Sequence, residues 1–255
     1  MFPCCSDPVA SKSSEAGGNK RASTGSTSPE AEAASSKAKS ENSVARAGVY
    51  HGDLKGDVRH GKGKFQYTNG DWFDGEWVQN KAHGHGTYHT QSSVYKGDWV
   101  EDLKHGEGEE KFEDGTVYTG SFRQGYRSGF GKLVWKDGNT YEGEFVNNNQ
   151  EGAGTFVWKS KHKYTGQWLD NYMHGQGRYE WPDGMSYDGQ YSMNLKDGEG
   201  TFISKNGSQI ICNWLQGKQN GLVIFKGNGY EVPPSCWQEG VMTSWAIRSE
   251  QNTPR

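Results

Sequence analysis

Histidine, glutamate and cysteine are the residues of this 255-residue chain with which chemistry would begin. His60, His83, His105 and His174 hold one column of a recurring pattern whose spacing is 23 residues, with a single interval of 22. Recurring histidines are raw material for a metal site. Zinc, however, needs its donor atoms within about 4 Å of one another. Successive units of a β-array lie about 10 Å apart, so this column cannot share an ion. His83, His85 and His89 crowd closer, yet no thiolate or carboxylate completes a ligand set beside them. No metal or other cofactor is expected.

Glu109/Glu110 and Glu142/Glu144 pair carboxylates as general acid–base catalysis would, but no pocket is in prospect to raise a pKa, and they read as a solvated face. The chain holds no G-x-S-x-G, P-loop or H-E-x-x-H motif. Glycine pairs such as Gly61 and Gly63 do not open a helix, so they cradle no phosphate. The four cysteines, Cys4, Cys5, Cys212 and Cys236, form no C-x-x-C arrangement and read as reduced thiols of a cytosolic protein. Cys212 and Cys236 fall in columns of opposite parity, which points their side chains apart. The chain reads as a non-enzyme.

What must position these residues is unusual in composition. Glycine occurs 37 times and aromatic residues make up 13% of the chain, while aliphatic residues are scarce. No apolar run approaches the roughly 18 residues of a membrane-spanning helix. The chain has 28 basic and 31 acidic residues, of which six and five lie in 1–48, so 49–255 carries a formal −4. That balance, without a basic stripe, excludes a nucleic-acid partner. Residues 6–48 contain no aromatic residue and cannot bury enough apolar area to offset their ordering entropy. Residues 1–48 are therefore expected to be a disordered tail, with Ser28-Pro29 as a candidate phosphorylation site.

From Tyr50 onward the sequence repeats, with units starting at Tyr50, Phe73, Tyr95, Tyr118, Tyr141, Tyr164, Tyr187 and Ile210. The third position is glycine in seven units and Cys212 in the eighth; the twelfth is glycine in all eight. The fifth is aromatic in all but the first (Trp77, Trp99, Phe122, Phe145, Trp168, Tyr191, Trp214), and the eighth is always Asn, Asp or Gly. A period of this length signals an array in which each unit buries its apolar face against its neighbours. Within a unit the period is two: Tyr141, Gly143 and Phe145 alternate with Glu142, Glu144 and Val146, which makes a strand. Asn, Asp or Gly at the eighth position turns the chain. A second strand (Gly154, Phe156, Trp158 on one face) follows, and Asp-Gly or Asn-Gly pairs such as Asp137-Gly138 lead into the next unit. Glycines and rings share a face, so rings are expected to lie over bare backbone. The fold class is all-β: eight hairpins over 49–232 in one elongated single-layer antiparallel ribbon on the order of 75–80 Å long. Trp237 and Gly240 continue the columns, making 233–255 a half-repeat cap with a tail.

The succession Tyr164, Gly166, Trp168, Asn171, His174, Gly175, Gly177 resembles the MORN repeat (membrane occupation and recognition nexus), and the resemblance extends over 50–232. It implies a twisted single-layer β-ribbon with an aromatic groove and a scaffold role, often at membranes, in cilia or in protist cytoskeletons, and often dimeric through the array. It assigns the histidine column to turn packing. Some relatives append a lipid-kinase or SET methyltransferase domain; with 23 residues after the last full repeat, none is expected here. Three departures stand out. Ser92-Ser93 replaces the Asp-Gly turn of the short second repeat, Glu110 replaces an inward aromatic, and Lys161 replaces a turn glycine.

The candidate binding site is the aromatic groove: Tyr95, Trp99, Phe112, Tyr118, Phe122, Trp135, Tyr141, Phe145, Trp158, Tyr164, Trp168, Trp181 and Tyr187. A contiguous aromatic strip marks an interaction surface, and an amphipathic helix, or a second copy of the ribbon in a homodimer, would cover it. The sheet edge beside Tyr50 offers a second route to self-association. Adjacent Cys4 and Cys5 ahead of a flexible linker suit S-palmitoylation, the alternative being plain tail cysteines. The function expected is a scaffold or adaptor holding a protein partner or its own twin, in the cytoplasm at the cytoskeleton (cilium, flagellum or cortex) or at a membrane face. Two alternatives stay open: a phosphoinositide-binding module using Lys159, Lys161 and Lys163, and a regulatory subunit that delivers an enzyme.

Overall fold

The computed structural model describes residues 48–246 apart from 228, 230 and 231; the expectations for Cys4, Cys5, Ser28-Pro29 and the rest of the tail lie outside the described residues. The described residues from Val49 onward form one unit. It holds eighteen strands and no helix among the described residues, from Gly48–Lys55 to Val241–Trp245. All eighteen belong to one antiparallel sheet in which each strand pairs with the next along the chain. The ribbon expected from the repeats is this sheet.

The hairpin Thr140–Val146/Asn149–Val157 shows how a repeat is made. Asn147 and Asn148 turn the chain with φ of 50° and 73°. Two consecutive positive φ values define a type I′ turn, whose twist matches that of the strands it joins. Gln79-Asn80, Glu101-Asp102, Asp170-Asn171 and Met193-Asn194 repeat the pair. Glutamine, glutamate and methionine at the seventh position thus adopt a conformation that L-residues disfavour. The eighth residue secures it. Asn148 donates its N–H to the Arg127 carbonyl at 3.0 Å, and its Oδ1 accepts the Arg127 N–H at 2.9 Å. Asn80 with Arg59, Asp102 with Ala82, Asn171 with Gln150 and Asn194 with Met173 form the same two-way clamp. Each of these turns is stitched to the hairpin before it.

The twelfth-position glycine has a separate cause. Register jumps from Glu151↔Glu144 to Gly154↔Gly143, so the second strand bulges at Gly152, where φ is 61°. All eight glycines of this column have positive φ. The fourth residue of the repeat reaches the bulge: Glu144 accepts the Ala153 N–H at 3.2 Å, Gln167 that of Gln176 at 2.8 Å and Gln190 that of Glu199 at 3.0 Å. Glu144 is thus a bulge cap rather than one more solvated carboxylate. Glu142 pairs with Lys132 at 3.2 Å and Glu109 with Lys111 at 2.7 Å, both on the surface.

The core is a zipper of rings on one side of this single sheet. Gly143 and Gly154 face each other across the strands, and the Tyr141 ring lies over both. A Cβ on Gly154 would come within 2.6 Å of the Tyr141 Cε2, and one on Gly143 within 2.5 Å of the Gly154 Cα. The Tyr141 hydroxyl donates to the Glu144 carbonyl at 3.0 Å, and Tyr95, Tyr118 and Tyr164 donate in the same way. Fifth-position rings stand edge-on between the tyrosines: Tyr118–Phe145 at 5.2 Å, Phe145–Tyr141 at 5.1 Å, Tyr141–Trp168 at 5.3 Å and Trp168–Tyr164 at 5.2 Å. Contacts of this T-shaped kind add about 0.5–1.5 kcal/mol each beyond area burial. Trp77, Trp99 and Trp168 also donate their indole N–H groups to glycine carbonyls of the preceding repeat.

At the C-terminal end Ser235–Gln238 pairs with residues 221–223, and Val241–Trp245 folds back on it, so the ninth unit is a short two-stranded hairpin. Its last strand is exposed throughout.

Gly143→Val places a branched side chain where Gly154 and the Tyr141 ring already sit, and we expect a loss of about 3 kcal/mol in urea unfolding; an unchanged midpoint would refute the packing described. Alkali gives an independent check. Burial raises the phenol pKa of Tyr95, Tyr118, Tyr141 and Tyr164 well above the ordinary 10.0. Values raised in the folded state mean stability that is complete below about pH 10 and is lost as pH climbs from there through the folded-state values. Stability should fall by roughly 1.4 kcal/mol per pH unit for each such tyrosine in that window. Phenolate absorbance should lag until the sheet unfolds, and early ionisation of these tyrosines without unfolding would contradict their burial.

Candidate functional site

The expected groove separates into two rows. Tyr95, Trp99, Tyr118, Phe122, Tyr141, Phe145, Tyr164, Trp168 and Tyr187 are buried, each between 0% and 6% exposed. These nine are the zipper itself, and as core residues they offer no surface to a partner. The expectation of an uncovered groove fails for them because the sheet covers its own rings. Each tyrosine is flanked by two fifth-position rings, and the tenth position of the repeat pairs across the strands with the fifth-position ring, as Ala82 with Trp77, Gln150 with Phe145 and Met173 with Trp168. Ala82, Gln150, Met173 and Lys196 in that column are buried. Where the column is basic it lies over the rings as a cation: Arg59 is 4.4 Å from the Trp77 ring, Lys104 is 5.0 Å from Tyr95, Arg127 is 5.4 Å from Tyr118 and Lys196 is 5.0 Å from Tyr187. Such contacts stabilise by about 0.5–2 kcal/mol.

Lys104 also explains one departure from the repeat. Its ammonium bonds the buried Glu110 carboxylate, which accepts a second hydrogen bond from the Ser93 hydroxyl at 3.3 Å. Glu110 and Ser93, both irregular for the repeat, therefore satisfy one another. Lys161 keeps the conformation of the glycine it replaces, with φ of 68°.

The other four expected residues, Phe112, Trp135, Trp158 and Trp181, lie on or just beyond the second strands and are partly exposed. The three tryptophans belong to a continuous run of rings. Trp135 meets Phe156 at 5.3 Å, Phe156 meets Trp158 at 4.5 Å, Trp158 meets Tyr179 at 5.4 Å, Tyr179 meets Trp181 at 4.7 Å and Trp181 meets Phe202 at 5.6 Å. Within the run Tyr179 is buried, whereas Phe156 and Phe202 are partly exposed like the tryptophans. These three linking rings stand outside the expected site, although the sequence shows their sixteenth column as an inward-facing position. This second row is the candidate site.

The other expected residues are scattered. Lys163 pairs with Glu180 at 3.1 Å, and Lys159 is exposed on the turn that Lys161 shapes. No group of three metal-ligating side chains occurs among the described residues. His85 contacts Asp98 at 3.0 Å, His89 stacks on Trp72 at 5.3 Å, and the Nδ1 of His174 is buried without a hydrogen bond among the described residues. Cys212 and Cys236 are free thiols whose register partners, Val223 and Leu222, are adjacent, which places them on opposite faces. Burial pushes the Cys212 thiol up to about 11. The face opposite the rings carries two open troughs, one around Phe130, Glu142, Thr155 and Gln167 and one around Asp188, Thr201, Ile211 and Leu222.

An open sheet built of like hairpins, with its core made of rings on glycine, defines a β-repeat array. The MORN repeat model matches residues 50–72, 73–92, 95–117, 118–140, 141–163, 164–186 and 187–209, and the chain belongs to the MORN-repeat family. No curated protein matches the chain. Among solved structures, the SAS-4 (dCPAP) TCP domain of Drosophila melanogaster, in complex with a proline-rich motif of Ana2 (dSTIL), is 12% identical with a TM-score of 0.40, over 68% of this chain and 92% of that one. The TCP10 domain of Danio rerio CPAP, in complex with a peptide of STIL, is 13% identical with a TM-score of 0.23, over 60% of this chain and 78% of that one. Neither likeness bears on function.

The two rows should separate in mutagenesis. Trp168→Ala, which empties a core site, should cost roughly 3–5 kcal/mol in urea unfolding, and Trp158→Ala about 1–2 kcal/mol. Equal losses would place both rings in the core and remove the distinction.

Proposed function

We propose that this chain is a non-enzymatic scaffold that holds a protein partner along the second aromatic row. The observation that carries the reading is the unbroken run of rings from Trp135 to Phe202, whose tryptophans are partly exposed on a sheet face that the first row and its tenth-column cover leave open. Large aromatic rings supply contact area with few rotatable bonds, which is why they dominate binding hot spots. Family membership supports the same class of role, and the open troughs of the opposite face give no carboxylate pair an enclosed setting in which to work as acid and base. Acylation of Cys4 and Cys5 would tether the array to a membrane face, and without it the array itself would hold the protein at a cytoskeletal structure. The phosphoinositide reading is weaker because Glu180 already engages Lys163. Delivery of an enzyme by a regulatory subunit would use the same row.

A photo-crosslinking residue placed at position 158 should capture the partner in cells, and one placed at position 130, on the opposite face, should not. The reverse pattern would move the binding surface to the other side of the sheet. In the same cells Cys4→Ser/Cys5→Ser should release the protein into the detergent-free soluble fraction; unchanged retention would assign anchoring to the repeats.

A further inference from the structure

The second row has a spacing and an unused hydrogen-bonding capacity that together select among partners. Trp135, Trp158 and Trp181 recur every 23 residues. Ring contacts through Phe156 and Tyr179 link each tryptophan to the next, so successive indoles lie no more than about 10 Å apart. Two strand spacings predict about 9.6 Å. The zipper tryptophans Trp77, Trp99 and Trp168 direct their indole N–H groups to glycine carbonyls. Those of Trp135, Trp158 and Trp181 make no hydrogen bond among the described residues, and these side chains are not buried. The face thus presents a file of donors between aromatic planes.

We infer that the row binds a proline-rich segment in the polyproline II conformation, lying across the strands along the file of tryptophans. The inference rests on the reading of this row as a protein-binding surface. Polyproline II has three residues per turn and a rise of about 3.1 Å, so a proline at every third position recurs about every 9.3 Å, in step with the tryptophans. Its backbone makes no internal hydrogen bonds, and proline offers only a carbonyl acceptor. The complementarity is therefore electrostatic as well as steric: the positive ends of three N–H dipoles meet carbonyl oxygens that have no internal partner. The competing conformations fail on one count each. An α-helix can repeat a side chain at a similar interval, about 10.5 Å for seven residues, but its carbonyls are bonded internally and the indole donors would stay idle beneath it. An extended strand repeats its facing side chains about every 6.7 Å, out of step with the row. Sheet twist winds the row as it advances, and a chain without internal bonds follows that winding easily. From Trp135 to Phe202 the row spans six strand spacings, about 29 Å, or roughly nine polyproline residues.

The test titrates the full chain with synthetic (Pro-Pro-Ala)-repeat peptides of three, six, nine and twelve residues, read by tryptophan fluorescence and calorimetry. Affinity should rise with length to about nine residues and then level off. Trp158→Phe keeps a ring and removes the donor; it should weaken binding about three- to tenfold, in line with one net hydrogen bond, while the urea midpoint stays near wild type. An equally long Gly-Ser peptide should not bind. No binding by the proline peptides, or binding indifferent to Trp158→Phe, overturns the inference. If position 158 still crosslinks its partner in cells in that case, the protein-binding surface stands and only the polyproline assignment falls. If the crosslink is lost as well, both fall.

Discussion

The sheet depends on one contact: a tyrosine ring resting on the bare backbone of two glycines paired across neighbouring strands. A single-layer sheet has no second layer to bury its apolar side, so it must make a core within its own thickness. Glycine at the third and fourteenth positions opens the necessary space, as the overlap of any added Cβ with Tyr141 and Gly154 shows. The tyrosine then fills it, anchors its hydroxyl on a carbonyl of its own strand, and gives the fifth-position ring an edge to meet. Alternating first- and fifth-position rings continue from Phe73 to Trp214. The bulge and the type I′ turn are the backbone devices that hold each hairpin in the shape this contact requires.

Much of this was legible in the residue columns, because a physical constraint that recurs leaves the same residue at the same place. The glycine at position twelve and the Asn, Asp or Gly at position eight both announce unusual backbone. Their second duties are hidden. Nothing in the type of Asn148 says that its side chain will reach back to Arg127, and nothing in Glu144 distinguishes a bulge cap from a solvated carboxylate until the register of Glu151 and Gly154 is known. Pairing across strands decides those roles, and one repeat read alone does not contain it.

The site is harder to read for a related reason. Aromatic residues on one face of a single layer suggest one groove, since no second layer exists to lie over them. The tenth column supplies the cover, and its members (Arg59, Ala82, Lys104, Arg127, Gln150, Met173, Lys196 and Gln219) have no chemistry in common beyond a stem long or apolar enough to lie on a ring. A column that varies so widely gives no signal by residue type. Only when cation and ring are seen 5.0 Å apart, as Lys104 and Tyr95 are, does the column acquire a meaning. What remains open to a partner is the second row, whose indole nitrogens, unlike those of Trp77, Trp99 and Trp168, have no carbonyl to serve.

The clamp made by the eighth residue runs in one direction. Asn148 bonds Arg127, Asn171 bonds Gln150 and Asn194 bonds Met173, always from a later turn to an earlier hairpin. The array consequently has an arrow. On a ribosome, a hairpin that has just emerged is incomplete until the next turn has been made, so assembly trails synthesis by about one unit and proceeds from the amino end without waiting for the whole chain. Shortening the array then leaves a different loose part at each end: units removed from the front leave the new first turn without the hairpin that secures it, whereas units removed from the back leave the new last hairpin without its clasp. The short hairpin at residues 235–245 supplies that final clasp, since Gly240 donates its N–H to the Gln219 carbonyl at 2.9 Å. It terminates a polar process rather than merely covering an edge.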